Sequence, residues 1–176
     1  MYVRIDSLLI LYKKNWYTII ILLLQDKKKE LNKDDLKLAL YYPTSFETNV
    51  LKLLENKYMI NKNILLPVIE KTNIMSFFPW KKNHVLLVNK FGILEPIRTK
   101  FKIPNIILVP ILAFDRNKYR LGYGKGFYDR YLNKYLKKFS NILTVGVAFS
   151  FQKHHKIPVF NNDVKLNYIL TEKGIF

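Results

Sequence analysis

The most constraining feature of the sequence is a long apolar run followed closely by a glycine loop. Residues 105–114, NIILVPILAF, are almost continuously apolar, which is typical of a β-strand covered on both faces. Residues 120–132, RLGYGKGFYDRYL, contain three of the six glycines of the chain. From 127 to 138 the apolar and aromatic residues recur at helical spacing. The order of strand, glycine loop and helix predicts a ligand site, because open α/β sheets bind ligands at the carboxyl ends of their strands.

Further apolar segments alternate with helical patterns along the chain. Strands are predicted at 38–42, 63–69, 75–78, 142–149 and 166–171, and a helix at 49–58. Residues 16–24, WYTIIILLL, are much shorter than the roughly 20 residues of a membrane-spanning helix. A buried helix is predicted there, although the β-branched residues of the run also allow a strand. The alternation predicts a three-layer α/β/α sandwich with a mostly parallel central sheet. We expect a helical segment at 1–35 and one α/β domain at 36–176.

The composition narrows the classes of function. A chain of 176 residues that is 49% hydrophobic fits one domain with a sizeable core. The absence of cysteine excludes disulfides, thiolate metal sites and cysteine nucleophiles. The net charge of +17 favours anionic partners, but the lysines are dispersed among asparagine, tyrosine and isoleucine, as an AT-rich coding sequence would produce. Adjacent His154 and His155 would point in different directions on a strand or a helix, so no chelate is expected.

The glycine loop has the chemistry of a polyphosphate cradle. Gly122, Gly124 and Gly126 lack a Cβ, which lets the backbone approach a ligand and adopt positive φ. The start of the following helix offers unpaired N–H groups and the positive end of the helix dipole. Arg120 and Lys125 add positive charge beside these groups.

Two named phosphate-binding motifs do not match the loop. A P-loop would need glycine where Tyr119 stands, and serine or threonine directly after Lys125. A dinucleotide fingerprint would need glycine in place of Phe127. Judged by spacing alone, a tight strand-to-helix turn explains the glycines as well as a ligand site does.

The longer stretch ILVPILAFDRNKYRLGYGKGFYDRYL closely resembles the signature of the 5-formyltetrahydrofolate cyclo-ligase (methenyltetrahydrofolate synthetase) family. That pattern is roughly V-P-x-x-A-F-D, a short turn, and then R-L-G-x-G-x-G-[FY]-Y-D-R-x-L. Other segments resemble the family in the same order: LALYYPTSFET, ILLPVIEKTNIMSFF, FGILEP, VGVAFSFQ and IPVFNNDVKLNYILTE. The resemblance covers about residues 36–172 and implies a fold similar to the NagB/RpiA/CoA transferase-like fold.

The resemblance implies a reaction and two cofactors, ATP and Mg²⁺. The family couples ATP hydrolysis to closure of 5-formyltetrahydrofolate into 5,10-methenyltetrahydrofolate, with release of ADP and phosphate. Phosphorylation of the formamide oxygen turns a poor leaving group into phosphate, and N10 of the folate then attacks the carbon. Phosphoryl transfer depends mainly on positioning and charge stabilisation, which suits a chain without cysteine.

The resemblance also assigns roles to residues. The nucleotide site would be formed by Arg120, Leu121, Gly122, Tyr123, Gly124, Lys125, Gly126, Phe127 and Tyr128. The catalytic charges would be Arg120 and Lys125, and the magnesium ligands Asp129 and Asp163. The folate would contact Tyr42, Glu47, Tyr123 and Phe127, with Trp80 and Gln152 as weaker candidates. Asp115 is expected to hold a turn.

The start of the chain departs from the family pattern. Family members usually begin with a helix that carries K-x-x-x-R or a similar basic pattern, which MYVRIDSLLILYKKNWYTII does not match, so no residue is assigned there. This departure leaves open a paralogue with altered or lost activity. The net charge and the aromatic content of 15% leave open a nucleic-acid-binding module. We expect a cytoplasmic monomer that acts on a small molecule and binds neither nucleic acid nor membrane.

Overall fold

The computed structural model describes residues 16–30, 36–44, 46–60, 62–70 and 74–176, with the main chain alone at 27–30. The helices are α1 (Trp16–Glu30) and α2 (Phe127–Leu136), with 3₁₀ turns at Val50–Glu55, Lys57–Met59 and Ser150–Gln152. The strands are β1 (Lys37–Ala39), β2 (Asn63–Ile69), β3 (Met75–Pro79), β4 (Leu86–Val88), β5 (Leu94–Pro96), β6 (Ile106–Pro110), β7 (Ala113–Phe114), β8 (Arg120–Leu121), β9 (Leu143–Val147), β10 (Tyr168–Thr171) and β11 (Gly174–Ile175).

Seven strands form one central sheet in the order β11-β10-β9-β6-β1-β2-β3. The five inner strands run parallel, and the two edge strands, β3 and β11, are antiparallel to their neighbours. Two small antiparallel ribbons, β4–β5 and β7–β8, stand apart from this sheet. The mostly parallel sheet confirms the predicted fold class.

Both faces of the sheet are covered, as the continuously apolar strands require. On one face, Ile20 and Leu24 of α1 pack with Val50 and Leu53 of the first 3₁₀ turn against the sheet. On the other face, α2 packs through Leu132 and its neighbours. These layers make the expected three-layer sandwich, while the closer likeness to the NagB/RpiA/CoA transferase-like fold stays a prediction.

The strand order reverses direction between β1 and β6. From β1 the chain crosses to β2 through the 3₁₀ turns on one face, whereas from β6 it crosses to β9 through α2 on the other face. Because these two connections leave in opposite directions, a crevice opens at the carboxyl ends of β1 and β6. Such switch points are the usual ligand sites of open α/β sheets.

Several local predictions need correction. The helix predicted at 49–58 is two 3₁₀ turns, because the side chain of Asn56 accepts a hydrogen bond from the N–H of Tyr58 and its own backbone is extended. The segment FGILEP, for which no strand is predicted, contains β5 (Leu94–Pro96). The buried helix expected at 16–24 is confirmed within α1, whereas residues 1–15 and 31–35 of the predicted helical segment lie outside the described residues. Among the described residues, no helix has the length and apolar character to cross a membrane.

Candidate active site

The glycine loop, residues 122–126, is anchored directly beside the carboxyl end of β6. The N–H of Leu112 donates to the carbonyl of Leu121 at 2.9 Å. Between these two residues the chain forms the short β7–β8 ribbon, whose turn is held by Asp115. The Asp115 carboxylate accepts from the N–H groups of Asn117 and Tyr119 at 2.9 and 3.1 Å. The ribbon returns the chain to β6, so the loop lies where the strand order predicts a ligand.

The loop presents backbone N–H groups without acceptors. In the described part of the chain, no N–H of residues 122–126 donates a hydrogen bond, and α2 has no side-chain cap at its first turn. Gly124 and Gly126 have φ of 78° and 64°, which a residue with a Cβ rarely adopts. Lys125 between them is exposed and makes no ion pair with any described residue. The loop can therefore surround an anion with N–H dipoles and one exposed cation.

Buried Arg120 and partly buried Asp129 form an ion pair at the base of the loop. The guanidinium donates to the two carboxylate oxygens at 2.9 and 3.3 Å, and the side chains are 5% and 16% exposed. The N–H of Val164 also donates to Oδ1 of Asp129, at 3.2 Å. The segment that carries Asp163 is thereby held beside α2, so two aspartates that are far apart in sequence belong to adjacent segments.

The two aspartates can each offer an oxygen to a cation. A carboxylate has about four lone-pair positions; Arg120 and Val164 occupy three at Asp129 and leave one at Oδ2. At Asp163, Oδ2 accepts from the N–H of Phe160 at 2.8 Å, and Oδ1 accepts no hydrogen bond within the described residues. The described residues contain no cluster of three metal-binding side chains. This donor set fits magnesium, which often takes one or two carboxylates together with phosphate oxygens and water.

The segment after β1, described at residues 41–44 and 46–48, forms the other wall of the crevice. The hydroxyl of Tyr41 donates to the carbonyl of Thr48 at 3.0 Å and closes the segment into a loop. Glu47 sits on this loop, where its Oε2 accepts from the N–H and hydroxyl of Thr44 at 2.7 and 3.0 Å. Burial raises the pKa of Glu47 above its usual range, and the two hydrogen bonds from Thr44 partly oppose this rise. Oε1 of Glu47 accepts no hydrogen bond from any described residue.

Among the residues that the structure describes, one hydrogen bond joins the two walls of the crevice. Oγ1 of Thr44 lies 2.8 Å from the hydroxyl of Tyr123 in the glycine loop. Behind it, the hydroxyl of Tyr128 is buried and has no partner in the described structure. Burial raises the pKa of Tyr128 strongly, nearby Glu47 raises it further, and Arg120 lowers it. This hydroxyl therefore lies within electrostatic reach of groups from both walls.

Phe127 connects the loop to a groove along the side of the crevice. Its ring lies 5.9 Å from the ring of Phe91, measured between centroids. Phe91 belongs to the turn between β4 and β5, and this ribbon forms one wall of a groove of about 580 Å³. The other wall is the end of β2, where Oε1 of buried Glu95 accepts from the N–H of Ile69 at 2.7 Å. The groove is of the size of a small-molecule site.

Comparison with known proteins identifies the family of this chain. The sequence profile of the 5-formyltetrahydrofolate cyclo-ligase family matches residues 24–172. The chain belongs to this family. The 5-formyltetrahydrofolate cyclo-ligase of Haemophilus influenzae is 33% identical over 140 residues, which cover 76% of this chain and 74% of the relative. The resemblance drawn from the glycine signature is confirmed, and with it the expected enzyme class, a ligase of folate metabolism.

Solved structures agree with the assignment to the cyclo-ligase family. The 5,10-methenyltetrahydrofolate synthetase of Aquifex aeolicus superposes with a TM-score of 0.64 at 32% identity, covering 93% of this chain and 81% of that one. The synthetase of Mycoplasma pneumoniae has a TM-score of 0.63 at 23% identity, covering 89% of this chain and 82% of that one, which supports the fold alone.

The remaining predicted residues of this cyclo-ligase family member fall in different places. Tyr42 is half-buried on the 41–48 segment and makes no hydrogen bond or ring contact with the described residues. Trp80 lies at the amino ends of the parallel strands, away from the crevice, since its backbone N–H donates to the carbonyl of Ile64 at the start of β2. Gln152 is buried, and its side-chain amide donates to the carbonyls of Ile111 and Leu112 at 2.9 and 3.0 Å, so it braces the chain after β6.

Sequence reasoning missed the polar residues that join the two walls in this family member. Thr44 lies in the quoted segment LALYYPTSFET, yet no role was predicted for it. Thr44 and Glu47 have the threonine-x-x-glutamate spacing of a capping box, in which the glutamate side chain accepts from the backbone N–H of the threonine, so this spacing is a signal that could have found it. The isolated hydroxyl of Tyr128 and the partnership of Arg120 with Asp129 depend on tertiary packing, which local sequence does not reveal.

Proposed function

We propose that this chain catalyses the ATP-dependent cyclisation of 5-formyltetrahydrofolate to 5,10-methenyltetrahydrofolate, with release of ADP and phosphate, at the crevice between β1 and β6. Membership of the cyclo-ligase family supports the reaction. The observation that carries the location is the convergence of the glycine loop and the Glu47 segment at the topological switch point.

The nucleotide is proposed to bind along residues 120–128. The N–H groups without acceptors at 122–126 and at the start of α2 support a triphosphate there. Arg120 contributes charge at the base of the loop, where Asp129 holds it, and Lys125 contributes charge at the exposed part. Because charge shifts onto the transferred group during phosphoryl transfer, cations fixed near it lower the barrier.

The folate is proposed to bind between the Glu47 segment and the groove beside Phe127. Oε1 of Glu47 can accept hydrogen bonds from adjacent N–H groups on a pterin edge. Tyr42, Tyr123 and Phe127 provide aromatic surface around that position. The groove lined by the β4–β5 ribbon continues outward and includes Lys90 and Arg98, whose charges suit the carboxylates of the folate tail.

Magnesium is proposed to be held by the open oxygens of Asp129 and Asp163 together with phosphate oxygens. When bound, it would neutralise charge on the triphosphate. The residues of the chain would meanwhile orient both substrates so that the formamide oxygen faces the γ-phosphorus. Transfer of the phosphoryl group to the formamide oxygen releases ADP. N10 then attacks the carbon and loses its proton to solvent, and phosphate leaves. A dry crevice would protect the phosphorylated formamide from water.

The test is an absorbance assay for methenyltetrahydrofolate with the purified chain, 5-formyltetrahydrofolate, ATP and Mg²⁺. We expect product to form in proportion to ATP consumed and to require the divalent cation. Asp163→Asn should raise the magnesium concentration needed for half-maximal rate, whereas Asn162→Asp at the neighbouring exposed position should not. Absence of product from a folded wild-type chain that still binds both substrates would indicate a paralogue that has lost the activity.

A further inference from the structure

Thr44 makes the one hydrogen bond that joins the two walls of the crevice within the described residues. Its N–H and hydroxyl contact Oε2 of Glu47 at 2.7 and 3.0 Å, and the same hydroxyl lies 2.8 Å from that of Tyr123. One side chain thus touches the proposed folate carboxylate and the proposed nucleotide loop.

The hydrogens of this contact have a defined direction. A threonine hydroxyl has one proton, and when Glu47 is ionised its oxygens can accept but not donate. The Thr44 proton therefore points to Glu47, and Tyr123 must donate its own proton to Oγ1 of Thr44. The three groups form a chain of hydrogen bonds in which each bond polarises the next.

Tyr123 depends on this contact for its position. Its side chain is 54% exposed, and the bond to Thr44 is the one hydrogen bond or ring contact that it makes with the described residues. Gly122 and Gly124 flank it, and an added Cβ at either glycine would meet no atom within 4 Å. The central part of the loop is therefore loosely packed, and the Thr44 hydroxyl is what fastens it to the opposite wall.

We propose that Thr44 is a positioning residue that couples nucleotide binding at the glycine loop to folate binding at Glu47. The inference rests on the proposed placement of the two substrates. When folate fixes Glu47, Thr44 is fixed with it, and Tyr123 and the loop are then held in one arrangement for the nucleotide. Because coupling between two binding sites is reciprocal, ATP favours folate binding by the same factor.

The test compares binding and turnover in Thr44→Val, Thr44→Ser and the wild type. Valine keeps the shape and the backbone N–H bond to Glu47 but removes the hydroxyl, whereas serine restores it. A non-hydrolysable ATP analogue is titrated calorimetrically with and without 5-formyltetrahydrofolate. In the wild type we expect folate to increase the affinity for the ATP analogue by about 5- to 150-fold, the usual range of coupling between two sites. In Thr44→Val the factor should fall close to one, and in Thr44→Ser it should return.

Two further readouts separate positioning from a general structural role. The acidic limb of the pH profile of kcat/KM should shift to higher pH in Thr44→Val, because Glu47 loses a hydrogen bond that lowers its pKa. Tyr123→Phe should abolish the coupling while leaving that limb in place, since Thr44 still donates to Glu47. Equal coupling in wild type and Thr44→Val, or no coupling in the wild type, would overturn the proposal. Because coupling is measured by binding, a wild type without turnover would reject the proposed reaction and leave this inference testable.

Discussion

The guanidinium of Arg120 donates to both carboxylate oxygens of Asp129, nine residues further along the chain. The pair joins the base of the glycine loop to the first turn of α2, and Val164 adds a third connection to the same carboxylate. Arg120 is therefore both a proposed source of charge for the nucleotide and a tie between three segments. Its two contributions can be separated by measuring stability and turnover independently.

Loss of the arginine should destabilise the fold. Arg120→Ala leaves the carboxylate of Asp129, which is 16% exposed, without its partner. Removal of one member of a buried ion pair typically costs about 3–5 kcal/mol, so we expect a decrease of that size in the free energy of unfolding, measured with urea. The double variant Arg120→Ala/Asp129→Ala should lose less than the sum of the single changes, because no unpaired charge remains.

Arg116 provides the matched control for this measurement. It is an exposed arginine in the turn of the same β7–β8 ribbon, and Arg116→Ala should change stability by at most about 0.5 kcal/mol. If Arg120→Ala is tolerated as well as Arg116→Ala, the ion pair contributes nothing to holding the loop.

Lys125 should affect turnover without affecting the fold. It is exposed and pairs with no described carboxylate, so Lys125→Ala should alter stability by at most about 0.5 kcal/mol. If the lysine stabilises the transferred phosphoryl group, turnover should fall on the order of 10²–10³-fold. Steady-state rates of methenyltetrahydrofolate formation measure this, with a thermal melt and exposed Lys82→Ala as controls. A near wild-type rate would leave the N–H groups as the main phosphate ligands.

Two glycines of the loop allow conformation to be separated from contact. Gly124 has φ of 78°, and alanine in this region costs roughly 1–2 kcal/mol, so Gly124→Ala should distort the loop and weaken ATP binding through strain. Gly122 has no such φ, and a Cβ there would meet no atom within 4 Å. Gly122→Ala should therefore melt as the wild type does.

The KM for ATP of Gly122→Ala then reports on the nucleotide itself. A rise of several-fold, without loss of stability, would mean that the phosphates approach Gly122 more closely than a methyl group permits. An unchanged KM would place the nucleotide elsewhere along the loop.

Much of the architecture could be predicted because the inner strands are covered on both faces. Residues 106–110 are nearly fully buried, and such strands appear in the sequence as unbroken apolar runs bounded by polar turns. The helix after the glycine loop could be predicted equally well, since its apolar and aromatic residues recur at helical spacing, at 127, 128, 131, 132, 135 and 136. The family signature covers these same elements.

Other elements could not be predicted because their cause lies elsewhere in the structure. The β4–β5 ribbon contains exposed Leu87 and Val88 and depends on buried Glu95, which accepts from Asn89 and from Ile69 on β2. No local periodicity indicates such long-range pairing. The connection between Thr44 and Tyr123 spans 79 residues and exists because β1 and β6 are neighbours, which only the strand order reveals.

The raised pKa of Glu47 predicts that Glu47→Gln stabilises the fold, whereas the proposed folate contact predicts that it weakens folate binding. Since burial raises the folded-state pKa above the ordinary value of about 4.3, the folded chain binds more protons than the unfolded chain between these two values. Stability therefore falls as the pH rises through that window, and above it the ionised carboxylate carries the full cost of burial. Glu47→Gln removes this cost.

At pH 7, Glu47→Gln should melt at a higher temperature than the wild type, and the difference should shrink on acidification and vanish below about pH 4, where both states of the wild type are protonated. Glu55→Gln, at an exposed glutamate, should show no pH-dependent difference.

Over the same pH series, the KM for 5-formyltetrahydrofolate should rise about 10- to 100-fold in Glu47→Gln and not in Glu55→Gln, as expected when a hydrogen bond to a charged group is lost. Melting curves from about pH 3 to 8, together with folate kinetics, measure both effects. A Glu47→Gln variant that is less stable than the wild type at pH 7 would show that the ionised carboxylate contributes to the fold rather than opposing it.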